Sequence, residues 1–344
     1  MACGWRIVSK IVPLAGSTGG HFGVGYIAEK DGKHAFVKAI DFVGAIRSAD
    51  PLKELAKLTA EANFERDALE FCGEKRMSKV VRLLAHEYVD AGNSNDPMQR
   101  VACLVLEFGE GDLRGKVNTI GSLRLSWILE VLRDVALAID QLHRRGIAHQ
   151  DIKPSNVVSI PQSGTVNGAD MKLTDLGRVV RKGVAGPHDS RDWPGDPHYS
   201  PPERWYGFHS PDWPDEREAS DAFMLGSLLF FLFTGVPLQP LLIVNTPDPF
   251  KPLNWRGGYD DALLTVLRDA QVRALADSLQ PCLPDDYADA ILSLAKSLTD
   301  PDPRIRGDAR ARSQSGRPVG IDRYHQKFRA LALRAAIDER VGRI

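Results

Sequence analysis

The chain has 344 residues, with 44 Lys and Arg against 45 Asp and Glu and a formal net charge of −1. That length can bury a substantial core as one large two-lobed unit or two ordinary domains, and a charge near zero points to no nucleic-acid or membrane partner. Cys3, Cys72, Cys103 and Cys282 are scattered without a Cys-x-x-Cys spacing, which argues against a disulfide framework or zinc site and suits a reducing compartment.

Alternating apolar residues predict strands over residues 5–14, 22–28 and 33–40, with Asp31-Gly32 a tight-hairpin signal between the last two. The N-terminus lacks the long apolar core of a signal peptide, so a soluble cytoplasmic protein is expected. Helical spacing of Leu55, Leu58, Ala62, Phe64 and Leu69 predicts a helix over 51–72, opened by Asp50-Pro51. Residues 80–89 and 101–108 read as two further strands around a polar loop. Beyond Gly111 the pattern turns helical. Residues 122–146 form an amphipathic stretch ended by glycine, and 219–235 are apolar nearly all round, as expected of a helix inside a lobe. The longest apolar run, 223–233, is too short to span a bilayer. The Pro-rich stretch 236–255 reads as a surface insertion. Residues 309–344 read as a basic tail with helical potential, charged by Arg310, Arg312 and Arg317 and expected to be solvated.

The chemistry concentrates in His149-Gln150-Asp151-Ile152-Lys153-Pro154-Ser155-Asn156, followed by Asp175-Leu176-Gly177. A carboxylate, an amine and an amide in fixed register, with a second carboxylate before a glycine, suit phosphoryl transfer. Asp151 would receive or orient the attacking hydroxyl, and Lys153 would neutralise charge on the moving group. Asn156 and Asp175 would hold magnesium. Gly16, Gly19, Gly20, Gly23 and Gly25 crowd the turn between the first two predicted strands, where backbone amides can approach phosphates without Cβ interference.

With these motifs the chain resembles the eukaryotic-type Ser/Thr protein kinases, as a divergent, bacterial-like member, from about Leu14 to Arg306. The resemblance implies an α+β, bilobal protein-kinase fold: a small lobe of antiparallel sheet plus one helix over 1–108, and a larger, mainly helical lobe over 109–308. An insertion would lie at about 236–279 and the tail at 309–344. It also implies ATP and Mg2+ as cofactors and Ser/Thr hydroxyls of a protein as substrate, a preference carried by Lys153. Lys38 would pair the first two phosphates, with Glu65 as its acidic partner and Glu61 and Asp67 as competitors. Leu106 would back the adenine pocket, the backbone of Glu107 and Phe108 would bond the adenine edge, and Asp112 would reach the ribose. Residues 195–203 resemble the end of an activation segment. Glu203 would form a buried pair with Arg306, and Asp221 would tie the central helix to the catalytic loop.

Several positions depart from the family's pattern. Gln150 replaces the arginine that binds an activation-segment phosphate, so activity is expected not to depend on such phosphorylation. Phe36 stands for a small alanine over the adenine ring while Gly25 stands for a valine beside it. The ring is expected to fill the space vacated at Gly25; the rival is that it closes the slot. Asp196 stands for a threonine and could pair with Lys153 or repel Asp151. Leu176 for phenylalanine is a mild change. Two other functions fit parts of the pattern. One is a pseudokinase acting as a nucleotide-gated binding module. The other is a small-molecule phosphotransferase, which Lys153, Glu203 and Arg306 oppose.

Overall fold

The computed structural model describes residues 1, 3–11, 23–40, 42–90, 100–119, 123–161, 169–189, 193 and 195–344. The small lobe contains β1 (Arg6–Lys10), β2 (Gly23–Lys30), β3 (Lys33–Ile40), α1 (Phe42–Ile46), α2 (Pro51–Glu74), β4 (Leu83–Asp90) and β5 (Arg100–Glu107). Its five strands form one antiparallel sheet in the order β1-β2-β3-β5-β4. Asp31 and Gly32, both at positive φ, make the tight turn between β2 and β3. The short α1 carries no periodic signal in the sequence.

Helix α2 starts where Asp50 accepts the Lys53 amide and Pro51 takes the first turn, the usual use of both residue types. Its buried face carries Glu61 and Glu65 beside Ala68, Leu69 and Cys72. Acids on a buried helix face call for partners: Glu65 meets Lys38 in the cleft, and Glu61 faces His188.

The strand expected from residue 80 begins at Leu83 because the preceding residues pair elsewhere. The Val81 amide donates to Leu173 O (2.8 Å) and the Leu173 amide to Lys79 O (2.9 Å), which stitches the small lobe to the large one. The large lobe comprises α3 (Leu113–Thr119), α4 (Leu125–His143), β6 (Ile147–Ala148), β7 (Val157–Pro161), β8 (Ala169–Leu173), β9 (Val180–Arg181), α5 (Pro202–Trp205), α6 (Ala219–Thr234), α7 (Leu238–Asn245), α8 (Asp261–Ala274), α9 (Asp285–Leu298), α10 (Ala309–Ser315) and α11 (Ile321–Arg340). Helix α6 is buried along nearly its whole length and ends at Gly235 in the left-handed region. No single helix among the described residues is long and apolar enough to cross a membrane.

Two parts of the large lobe differ from the sequence expectation. The span 236–279, expected as an insertion, carries α7 and α8, whose Leu238, Leu242 and Ala270 join the main core. Pro237 immediately precedes α7, where proline opens a helix instead of breaking one. Only parts of the span lie outside, as at Leu253, 86 % exposed.

The tail expected to be solvated is instead structural. Helix α11 lies along α4 and buries Tyr324, Phe328, Ala332 and Ala335 at spacings of three and four. Glu339 accepts the Ser126 amide (2.8 Å) and hydroxyl (2.6 Å), and Asp338 accepts the Tyr287 hydroxyl (2.6 Å). The apolar stripe is narrow, and the basic residues between its members conceal it in the composition. Arg312 donates to the carbonyls of Ile305, Arg306 and Pro318, and Arg317 pairs with Asp322.

Candidate active site

Lys38 enters the cleft from β3. Its Nζ stands 2.8 Å from both carboxylate oxygens of Glu65 and 3.2 Å from Asp175 Oδ1. Of the three acids considered on α2, Glu65 is therefore the partner. Asp67 binds Arg66, and Glu61 points toward His188, with Oε1 4.0 Å from Nδ1. Burial weakens the hold of Lys38 on its proton, but the charges of Asp175 and Glu65 outweigh it and favour the ammonium form. Lys38 in turn holds the Asp175 carboxyl below the ordinary carboxylate range.

Asp151, Lys153 and Asn156 come from one loop, fixed from below by Asp221 at the buried start of α6. Asp221 is fully buried and accepts the amides of His149 (2.7 Å) and Gln150 (2.8 Å) through its two oxygens. Its carboxylate also binds His143 Nε2 (2.9 Å). Gln150 and Asp175 both hold positive φ, at 63° and 60°, an uncommon conformation for non-glycine residues that concentrates at functional sites.

Asp151 Oδ1 accepts the Asp196 amide (2.9 Å), while Oδ2 accepts Asn156 Nδ2 (3.0 Å) and stands 3.2 Å from Lys153 Nζ. Burial raises the Asp151 carboxyl above its ordinary value, opposed by Lys153 and reinforced by the charge of Asp175. A carboxylate so placed is suited to accept a proton. The Asp196 side chain turns to the His198 amide (3.0 Å) and lies 3.7 Å from Lys153 Nζ, while its backbone orients Asp151.

Asn156 and Asp175 flank the mouth of the hairpin formed by β7 and β8, where Val157 faces Leu173 and Asn156 O accepts the Thr174 amide (3.0 Å). The Asn156 amide nitrogen bonds both the carbonyl (2.8 Å) and the carboxylate of Asp151, which leaves its side-chain oxygen for a cation. Among the described residues no three His, Cys, Asp or Glu side chains gather as a complete metal cage. One amide oxygen and one carboxylate fit magnesium, which takes few protein ligands and fills its octahedron with phosphate and water.

The roof of the cleft contains Phe36, two residues before Lys38 on the same face of β3. A Cβ at Gly25 would stand 3.0 Å from the Phe36 ring, so the ring occupies the space that a side chain at residue 25 would take. At Gly23 a Cβ would meet Ala39 O at 2.9 Å. Gly16, Gly19 and Gly20 lie outside the described residues. Leu106 is buried opposite Phe36 on β5. Glu107 commits its amide to Arg82 O (3.0 Å), and its side chain accepts from Lys172 (2.7 Å) across the lobes. The Phe108 ring lies against His34 (centroids 5.6 Å apart). Asp112 Oδ1 caps α3 through the Gly115 amide (2.7 Å), leaving its second oxygen as the one suited to a ribose. Leu176 is fully buried in the core.

The sequence reading missed the packing role of Gly195. A Cβ there would come within 2.3 Å of Gln150 O and 2.8 Å of Asp151 Oδ1, so the segment presses directly on the catalytic loop. Gly195→Ala is expected to lower kcat about 100-fold by displacing Asp151. Steady-state kinetics beside a melting curve checks this; an unchanged kcat would mean that the loop tolerates the methyl group.

The protein kinase domain family matches residues 27–246. The chain belongs to that family. It is 27% identical over 175 residues to the probable serine/threonine-protein kinase PknB of Lactococcus lactis, covering 51% of this chain and 26% of that protein. It is 31% identical over 159 residues to human serine/threonine-protein kinase greatwall, covering 46% of this chain and 15% of the relative. With PknB of Mycobacterium tuberculosis it shares 27% identity over 194 residues, 54% of this chain and 29% of the relative. The chain thus spans less than a third of the length of these curated relatives.

Proposed function

We propose that the chain is an ATP-dependent protein kinase that transfers the γ-phosphoryl group to Ser or Thr hydroxyls of a protein substrate. The observation that carries this reading is the convergence of Lys38, Glu65, Asp151, Lys153, Asn156 and Asp175 on one cleft. When bound, magnesium-ATP supplies the phosphoryl group and a cation that offsets its charge. Asn156 and Asp175 would hold the magnesium, and Lys38, clamped by Glu65, would face the phosphates. Asp151 accepts the hydroxyl proton of the substrate. Lys153 balances the resulting charge, and the Asp196 amide keeps the carboxylate aimed. We place the chain in the cytoplasm on the scattered spacing of its four cysteines, which suits a reducing compartment. Activity would not require a phosphate on the activation segment, because Gln150 offers that phosphate no cation.

The Ser/Thr assignment is tested by incubating the purified chain with magnesium-ATP and a library of Ser-, Thr- and Tyr-containing peptides. Mass spectrometry should find phosphoserine or phosphothreonine with wild type and none with Asp151→Ala. Phosphate in both reactions, or in neither, contradicts the assignment.

Phe36 gives the nucleotide-gated binding module its one structural argument, since a ring on the cleft roof could also exclude the base. The fit between Phe36 and Gly25 distinguishes the two. Gly25→Val should drive the ring into the slot and weaken ATP binding about tenfold. Adding Phe36→Ala should restore it. Tight binding to the Gly25→Val single variant would show that the ring does not border the nucleotide.

A further inference from the structure

The segment that leaves the cleft after Asp175 returns past the catalytic loop before reaching α5. Its stretch 186–189 is wedged between two elements that the mechanism needs. On one side is α2. A Cβ at Gly186 would stand 3.0 Å from the Phe64 ring, and His188, 1 % exposed, has Nδ1 4.0 Å from Glu61 Oε1 and 3.3 Å from Arg178 Nη1. On the other side is the turn before α6. There Arg217 Nη2 donates to Asp189 O (3.1 Å) and Nη1 to Gln150 Oε1 (3.3 Å). Gln150 Nε2 donates back to Arg217 O (2.9 Å) and also to Asp221 Oδ1 (3.1 Å). The Asp189 carboxylate accepts the Gly186 amide (2.7 Å) through Oδ2, and Oδ1 is buried with no hydrogen-bond partner among the described residues.

We propose that Arg217 is a positioning residue: paired reciprocally with Gln150, it supplies the cation that fastens the activation segment, through the Asp189 backbone carbonyl, to the catalytic loop. The inference rests on the kinase reading above and says how that site is kept assembled without modification.

The chemistry of the pair explains why residue 150 is neutral. A glutamine amide both gives and takes a hydrogen bond, so it can satisfy a guanidinium and a carbonyl together. An arginine there would set two guanidiniums side by side, one of them at a fully buried position and the other half-buried. Arg217 already bears part of that cost: burial and the nearby Arg204 pull it below its ordinary value, offset by Glu216, Asp189 and Asp221. The position of the cation has moved from the loop to the turn before α6, and the two residues form a matched pair.

Reciprocal exchange tests this. Arg217→Gln should lower kcat about tenfold or more, because a charge-assisted tether is lost, with KM for ATP little changed. Gln150→Arg alone should do the same through repulsion. The double exchange Gln150→Arg/Arg217→Gln should recover most of the wild-type kcat, which a merely structural role for either residue does not produce. Amide hydrogen exchange of 186–189 should rise in each single variant and fall again in the double, a readout that works even if no phosphoryl transfer is found. The inference is overturned if Arg217→Gln leaves both kcat and exchange unchanged, or if the double variant is no better than the worse single. Absence of transfer in wild type, with the exchange pattern intact, would overturn the kinase reading and leave the clamp standing.

Discussion

Replacing Asp151 by asparagine is expected to lower kcat by about 10²- to 10⁴-fold, the usual worth of a general base. The substitution is nearly isosteric. Its remaining carbonyl oxygen can still accept from the Asp196 amide, so the fold should survive and the melting temperature should barely move. The group able to take the hydroxyl proton is lost, and Lys153 loses the anion that it faces at 3.2 Å. Burial raises the Asp151 carboxyl, so the active, ionised form is lost as pH falls through that raised value. The acid limb of the wild-type pH–rate profile should therefore lie above the ordinary aspartate range, and it should vanish in Asp151→Asn. Radiolabelled phosphate transfer across pH measures both. An unchanged acid limb in the variant would assign the proton acceptor elsewhere.

Removing Glu203 should have the largest effect on stability. Arg306 is fully buried, and its two terminal nitrogens meet the two Glu203 oxygens at 2.8 and 2.7 Å. The guanidinium also donates to the carbonyls of Asp300, Ala219 and Pro301, so one side chain joins α5, α6 and the turn after α9. Glu203→Ala leaves that cation buried without its counter-charge, at a cost of roughly 3–5 kcal/mol. Apolar replacement of both partners, Glu203→Leu with Arg306→Met, should cost less than the single change because no charge remains in the interior. Urea denaturation of the three proteins decides. A double variant as unstable as Glu203→Ala would show that the ion pair contributes more than the relief of an unpaired charge.

The catalytic stretch was legible because its chemistry imposes fixed offsets within one loop and one hairpin. Asp151, Lys153 and Asn156 then need no tertiary information to be found together. The partner of Lys38 was less determined, since Glu61, Glu65 and Asp67 share one helix and only the seating of α2 against β3 selects among them. The consequence of Asp196 escaped a reading based on side chains, because its contribution to Asp151 is a backbone amide. Arg217 left no local trace: its contact with Gln150 spans 67 residues, and the only cue was the missing charge at residue 150. In α11 the helical repeat was present, but the dense arginines around it suggested a solvated tail. The match of Phe36 to Gly25 was legible because the two substitutions change volume in opposite directions, and the ring contact at Gly25 agrees with it.

On the proposed reading, Lys38, Asn156 and Asp175 gather around the phosphates of a magnesium-bound nucleotide. Calorimetric titration with ATP, with and without magnesium, tests it most directly. Wild type should bind ATP more tightly when magnesium is present, and Asp175→Asn should lose that dependence while keeping its fold. No binding by wild type, or equal affinity with and without magnesium, would contradict the account.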